Sequence, residues 1–161
     1  MKMNCVLASI ALGLLGVACQ KNESAPPQGK AAAEKPSWRT NYAEAQAQAR
    51  AENKLLLINF TGSDWCPPCI MLEKQVFSKP EFAEYATKHL VLLEVDFPRR
   101  KELAAEQRAA NVKLAGEYGI EGFPTVIVLD SSGKPLGKFG YVPGLGPDKV
   151  IAVLEEARAS K

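Results

Sequence analysis

The chain has 161 residues, 47% of them hydrophobic and 24% charged, which suits one globular domain and excludes a disordered or fibrous protein. Its net charge of +2 is too small for a dedicated electrostatic grip on nucleic acid. Of the four cysteines, Cys5 and Cys19 flank an apolar run and Cys66 and Cys69 form a C-x-x-C; with one histidine in the chain they cannot assemble the four ligands of a structural zinc site, so thiol redox chemistry leads and a metal is the weaker alternative.

Residues 1–18 carry one positive charge, Lys2, followed by an apolar stretch of 13 residues from Val6 to Ala18. A membrane-spanning helix needs about 20 such residues, so the run reads as a signal peptide, removed on export. Leu15-Gly16-Val17-Ala18-Cys19 resembles a bacterial lipoprotein signal, with Gly16 standing where a larger aliphatic residue is usual. The resemblance implies acylation of Cys19 and attachment to a membrane through a lipid anchor. Ordinary secretion, with Cys19 trimmed away or left as a free thiol, is the alternative. Under the lipoprotein reading Cys5 leaves with the signal and Cys19 is capped, so that Cys66 and Cys69 are the remaining thiols. Residues 19–36 are polar and hold three prolines, the composition of a flexible linker, and residues 37–161 form the domain.

Asn41 to Asn53 is rich in Ala, Gln and Glu and reads as a helix with Tyr42, Ala45 and Ala49 along one face. Lys54 to Phe60 is a continuous apolar run, as in a strand covered on both faces. A loop over Thr61 to Trp65 leads to a helix over Cys66 to Phe77 with Ile70, Leu72 and Val76 as its apolar surface. Pro80 to Lys88 reads as a short helix, Leu90 to Phe97 as a second buried strand, and Glu102 to Tyr118 as a helix stopped by Gly119. The β-branched run Thr125 to Leu129 meets a turn signal at Asp130 to Gly133 and pairs antiparallel with Leu136 to Tyr141. Pro147 opens a last helix. This alternation predicts an α/β domain with a mixed central sheet and helices on both faces.

The C-x-x-C therefore stands at a strand-to-helix turn. Two thiols at a helix start close a disulfide with little backbone movement. The helix N-terminus favours the Cys66 thiolate, which makes Cys66 the nucleophile, and Cys69, one turn further in and expected to be the more buried, resolves the mixed disulfide with a client. Pro67 and Pro68 lack N–H groups, so the thiolate is stabilised only moderately and the pair suits a reductant or neutral carrier better than a strong oxidant.

Trp65-Cys66-Pro67-Pro68-Cys69 after a hydrophobic strand, with Phe123-Pro124-Thr125 before a later one, resembles the thioredoxin superfamily over about residues 38 to 158. The resemblance implies the thioredoxin fold, a cis peptide bond before Pro124 facing the disulfide, and client binding as an extended strand along the backbone at Phe123, Pro124 and Thr125. Asn59 to Cys66, with Val76-Phe77-Ser78 and Val95-Asp96-Phe97, resembles the exported bacterial thioredoxin-like group, which is similar to the C-terminal domain of the electron-transfer reductase DsbD. That implies a monomeric thiol-disulfide oxidoreductase of the periplasm or cell envelope, acting on protein thiols and disulfides, fed by an upstream thiol donor, and needing no cofactor beyond its own Cys66–Cys69 disulfide. One position departs from the pattern: Asn59 stands where the family has a buried aspartate that takes the proton of the resolving thiol. The substitutes considered are water, Asp64 and Glu73, though both acids also read as surface charges near a helix start. Trp38 and Phe60 read as core, and His89, alone at a strand start, has no assigned role. The competing functions are a Cu(I)-binding module on the same two sulfurs and a disulfide oxidase or isomerase.

Overall fold

A computed structural model describes residues 36–160; the expected signal peptide, Cys19 and nearly all of the linker lie outside the described residues. The elements are β1 (Trp38–Arg39), α1 (Tyr42–Glu52), β2 (Leu55–Thr61), α2 (Pro67–Leu72) continued by a π-helical turn (Glu73–Phe77), α3 (Pro80–His89), β3 (Leu90–Asp96), α4 (Ala105–Glu117), β4 (Thr125–Leu129), β5 (Pro135–Phe139) and α5 (Pro147–Ala159). The sheet order is β1-β3-β2-β4-β5. β1, β3 and β2 run parallel, whereas β4 is antiparallel to β2 and β5 to β4. This is the expected mixed sheet, and its wholly buried central strand is the run Leu55–Thr61.

Because side chains alternate along a strand, the apolar run of β2 serves two cores. Leu55 and Leu57 pack with Leu72, Val76, Phe77, Phe82, Val150 and Leu154 on the face covered by α2, α3 and α5. Leu56, Ile58 and Phe60 pack with Ala45, Ala49 and Leu114 on the face covered by α1 and α4. Each fully buried Leu, Ile or Phe contributes about 1.5–3 kcal/mol, and β2 supplies five of them. Phe60 is core, as expected. Trp38 is half-buried against Phe77, with ring centroids 5.1 Å apart.

Local chemistry sets the boundaries. Asn41 caps α1 by accepting from the Glu44 N–H at 3.2 Å, and Asn53 closes it in the left-handed region at φ 50°. Gly119, at φ +60°, follows α4 as expected. That helix begins three residues later than the composition suggests, with Ala104 as its N-cap, and in the loop before it the N–H groups of Arg99 and Arg100 are bonded to the Asp64 carboxylate. The expected helix 66–77 is not α-helical throughout. The Ser78 N–H reaches the Glu73 carbonyl at 2.8 Å, and this wide turn lets the consecutive Val76 and Phe77 both enter the core. Ile70, expected on the packed side, is 45% exposed, because it lies on the outer flank of that helix. β1 is too short to carry a periodic signal and was not expected as a strand. β5 ends at Phe139, two residues before the expected limit. Among the described residues no helix is long and apolar enough to cross a membrane.

Candidate active site

β2 ends at Thr61, and the chain turns at once. The Gly62 carbonyl accepts from the N–H groups of Trp65 (3.2 Å) and Cys66 (2.9 Å), which delivers Cys66 to the N-cap of α2 in an extended conformation. Gly62 is required there: a Cβ at this position would stand 2.5 Å from the Trp65 ring. The end of β3 and the residue after it cradle the turn. Asp96 accepts from the Ser63 N–H at 2.9 Å and the Ser63 hydroxyl at 2.6 Å. The Phe97 N–H donates to the Thr61 carbonyl at 2.9 Å, and the Phe97 carbonyl accepts from Trp65 Nε1 at 2.7 Å.

Cys66 and Cys69 are joined in a disulfide with their Cα atoms 5.3 Å apart. Both residues are 4% exposed, so burial does not separate them as expected; position does. Cys66 is the N-cap, whereas Cys69 lies inside the first turn and lines a cavity of about 290 Å³ with Asn59, Thr61, Ser63, Ile70, Glu73, Lys74, Ser78 and Glu94. An N-cap side chain ordinarily accepts from the second or third helical N–H. Here Pro67 and Pro68 fill the first two helical positions, and the Cys69 and Ile70 N–H groups bond the Cys66 carbonyl at 3.0 and 3.1 Å. Few donors are left for a sulfur anion at Cys66.

The Phe123–Pro124 peptide bond is cis. Pro124 is buried and Phe123 half-buried, and the Phe123 ring meets Trp65 edge-on at 6.1 Å and stacks on Phe97 at 5.1 Å. The Thr125 hydroxyl donates to the Gly122 carbonyl at 2.8 Å, which steadies the entry to β4. The two motifs are therefore joined through Trp65, Phe97 and Phe123. Arg99 lies over the Trp65 ring, its guanidinium carbon 3.7 Å from the centroid, a cation–π contact at the rim of the site.

Of the two acids considered for proton transfer, Glu73 borders the Cys69 cavity and accepts from the Ser78 hydroxyl at 2.8 Å. Asp64 does not border it. Its carboxylate accepts from the Arg99 and Arg100 N–H groups at 3.0 and 2.7 Å, and these bonds, Arg99's foremost, hold it below the usual carboxylate range. A third acid was missed, Glu94. It is paired in register with Asn59 on the neighbouring strand and half-buried. Burial first, then the charges of Asp96 and Glu73, raise its carboxyl above the usual range against the pull of Lys101. The signal was present in the sequence as a charge in phase with the buried Leu90 and Leu92. The His89 ring lies tilted against Tyr85 with centroids 4.8 Å apart, outside the cavity that Cys69 lines, and burial lowers its pKa. Among the described residues no trio of His, Cys, Asp or Glu is placed to hold a metal ion. A larger cavity, about 420 Å³, lies between the start of α1 and α4 and includes neither thiol.

The model of the thioredoxin-like domain matches residues 42–158. The chain is 39% identical over 113 residues to the disulfide bond reductase DsbH of Chlamydia pneumoniae, covering 70% of this chain and 68% of that protein. It is 32% identical over 91 residues to the thiol:disulfide interchange protein DsbD of Cronobacter sakazakii, spanning 56% of this chain but only 14% of that much longer protein. A solved DsbH oxidoreductase superposes with a TM-score of 0.73 at 34% identity, over 86% of this chain and 94% of that one.

Proposed function

The chain belongs to the thioredoxin-like domain family, and we propose that it is a thiol-disulfide oxidoreductase working outside the cytosol, as a reductase or electron carrier for client proteins. The observation that carries this is the Cys66–Cys69 disulfide at the start of α2, seated in a loop that Asp96 and Phe97 hold in place. In the reduced form the Cys66 thiolate attacks a client disulfide and one client thiolate leaves. The Cys69 sulfur then attacks Cys66 Sγ, the mixed disulfide breaks, and the client departs as a dithiol carrying both electrons. An upstream thiol donor returns the pair to the reduced state.

The prolines at the first two helical positions support the reducing direction, because a Cys66 thiolate short of N–H donors is a less stable product than one that is well solvated by the backbone. The printed name of the similar DsbH, a disulfide bond reductase, points the same way. Client segments are read as extended strands laid along the backbone at Phe123, Pro124 and Thr125. Residues 1–18 are read as a signal removed on export, leaving acylated Cys19 as the first residue, which tethers the domain to a bacterial envelope membrane.

Turnover is tested with insulin as the client and dithiothreitol as the donor. The wild-type chain accelerates reduction and Cys66→Ser abolishes it; Cu(I) binding without turnover would instead establish the metal-binding module. Equilibration with glutathione fixes the direction. A reductase lies nearer about −270 mV, and a value near about −120 mV would mark an oxidant. Radiolabelled palmitate incorporated by the wild type and not by Cys19→Ala tests the anchor, and equal labelling of the two overturns it.

A further inference from the structure

Resolution of a mixed disulfide needs the Cys69 sulfur as a thiolate, so the proton on a buried thiol must go somewhere within reach. The Cys69 cavity holds three ionisable side chains besides the thiol itself: Glu73, Lys74 and Glu94. Lys74 is exposed and, as a lysine, serves as a hydrogen-bond donor. Glu73 is exposed, and its carboxylate is engaged by the Ser78 hydroxyl. Glu94 is half-buried, and among the described residues no donor is bonded to its carboxylate. Its register partner Asn59, 5% exposed, borders the same cavity with an Oδ1 that finds no hydrogen-bond donor among the described residues.

These two vacancies are complementary. An orphaned buried acceptor is costly and asks for an explanation, and a protonated Glu94 is a donor placed one strand away on the same face. We propose that Glu94 is the proton acceptor for the Cys69 thiol in the resolving step, and that Asn59 Oδ1 accepts from the Glu94 carboxyl once it carries the proton. In balance, the Cys69 S–H proton passes to the Glu94 carboxylate, directly or through one water, for which a cavity of this size has room. The Cys69–Cys66 bond forms as the Cys66–client bond breaks, and both electrons leave with the client thiolate. When a donor thiol reduces the pair again, Glu94 returns the proton to the Cys69 thiolate as it departs.

The carboxyl is suited to this exchange, because burial and the facing acids Asp96 and Glu73 bring its proton affinity towards that of a thiol. Asp96 itself is not available, since both its oxygens are held by Ser63. The groups that face Glu94 are thus Asp96 on its own strand, Asn59 on β2, Cys69, Glu73 and Lys74 from the helix, and Lys101 from the following loop. This assignment rests on the redox reading above.

The test is run on the full chain with Cys5→Ser and Cys19→Ser in every sample, so that only the site thiols report. The reduced protein is mixed with one equivalent of Ellman's reagent across a pH series. Release of the first thionitrobenzoate reports attack by Cys66, and release of the second reports resolution by Cys69. Glu94→Gln should leave the first release unchanged and slow the second by about a hundredfold at neutral pH, the low end for a positioned proton acceptor. It should also remove one titration from the pH profile of that step. Glu94→Asp should keep the titration at a reduced rate, and Glu73→Gln should keep it as well, moved to lower pH because one of the charges that raise Glu94 is gone. A second phase with the same rate and pH profile in Glu94→Gln overturns the inference while the redox reading stands; a wild type that gives no second release overturns the redox reading itself.

Discussion

Pro68 occupies the second position of α2, where an N–H would otherwise face the Cys66 sulfur. Pro68→Ala restores that donor. A hydrogen bond to a charged group contributes about 1.5–3 kcal/mol, so the Cys66 pKa should fall by about one unit or more, at 1.36 kcal/mol per unit. The reduction potential should rise by about 30 mV per unit. Alkylation rates against pH and glutathione equilibration measure the two, and an unchanged Cys66 pKa would show that the missing donor is not what tunes it. Glu94 carries a second consequence at this scale. Its carboxyl is raised in the fold, so the folded chain binds that proton more tightly than the unfolded one. The stability this contributes is complete below the unfolded pKa and is lost as pH rises through the raised folded value. Glu94→Gln should therefore be more stable than wild type at neutral pH, with the difference disappearing on acidification, as urea titrations at a series of pH values would reveal. A site residue that costs stability at the working pH is the usual trade between fold and activity.

At the scale of elements, the active-site turn is held by its neighbour and not by itself. β2 delivers the chain, but the end of β3 supplies the Asp96 carboxylate to Ser63, and Phe97 just beyond it gives both its backbone groups, one to Thr61 and one to the Trp65 indole. The closeness of that fit is felt at Gly62. In Gly62→Ala the new methyl meets the Trp65 ring, so the indole must leave its seat on the Phe97 carbonyl. An overpacked site of this kind costs about 1–3 kcal/mol, and the displaced Trp65 should show a shifted emission in a Trp38→Phe background together with slower client reduction. Unaltered emission would mean that the loop relaxes around the methyl. The π-helical turn acts on the same helix from its other end: it buries Val76 and Phe77 together, while Ile70, which borders the Cys69 cavity, and Met71 stay exposed on α2.

At the scale of the folded domain, one strand joins everything. Leu57 faces the cluster under α2, α3 and α5, and Ile58 the cluster under α1 and α4, so neither face can loosen without loss to β2. Leu57→Ala and Ile58→Ala should each cost about 2–5 kcal/mol and still unfold in a single transition that coincides by tryptophan emission and far-ultraviolet circular dichroism. Separate transitions in either variant would show that the two faces unfold independently.

The sequence by itself determined the element order from α1 onward, the strand-to-helix placement of the C-x-x-C and the pairing of Thr125–Leu129 with the strand after it, because these follow from local periodicity, turn chemistry and the fixed φ of proline. Only the tertiary structure decided which charges matter. Asp64 and Glu73 are close to the cysteines along the chain, yet Asp64 is spent on the backbone of Arg99 and Arg100, whereas Glu94 is brought beside Asn59 by the parallel register of β2 and β3. Register between strands and burial against a distant helix are set by packing across the sheet, and no stretch of neighbouring residues encodes them alone.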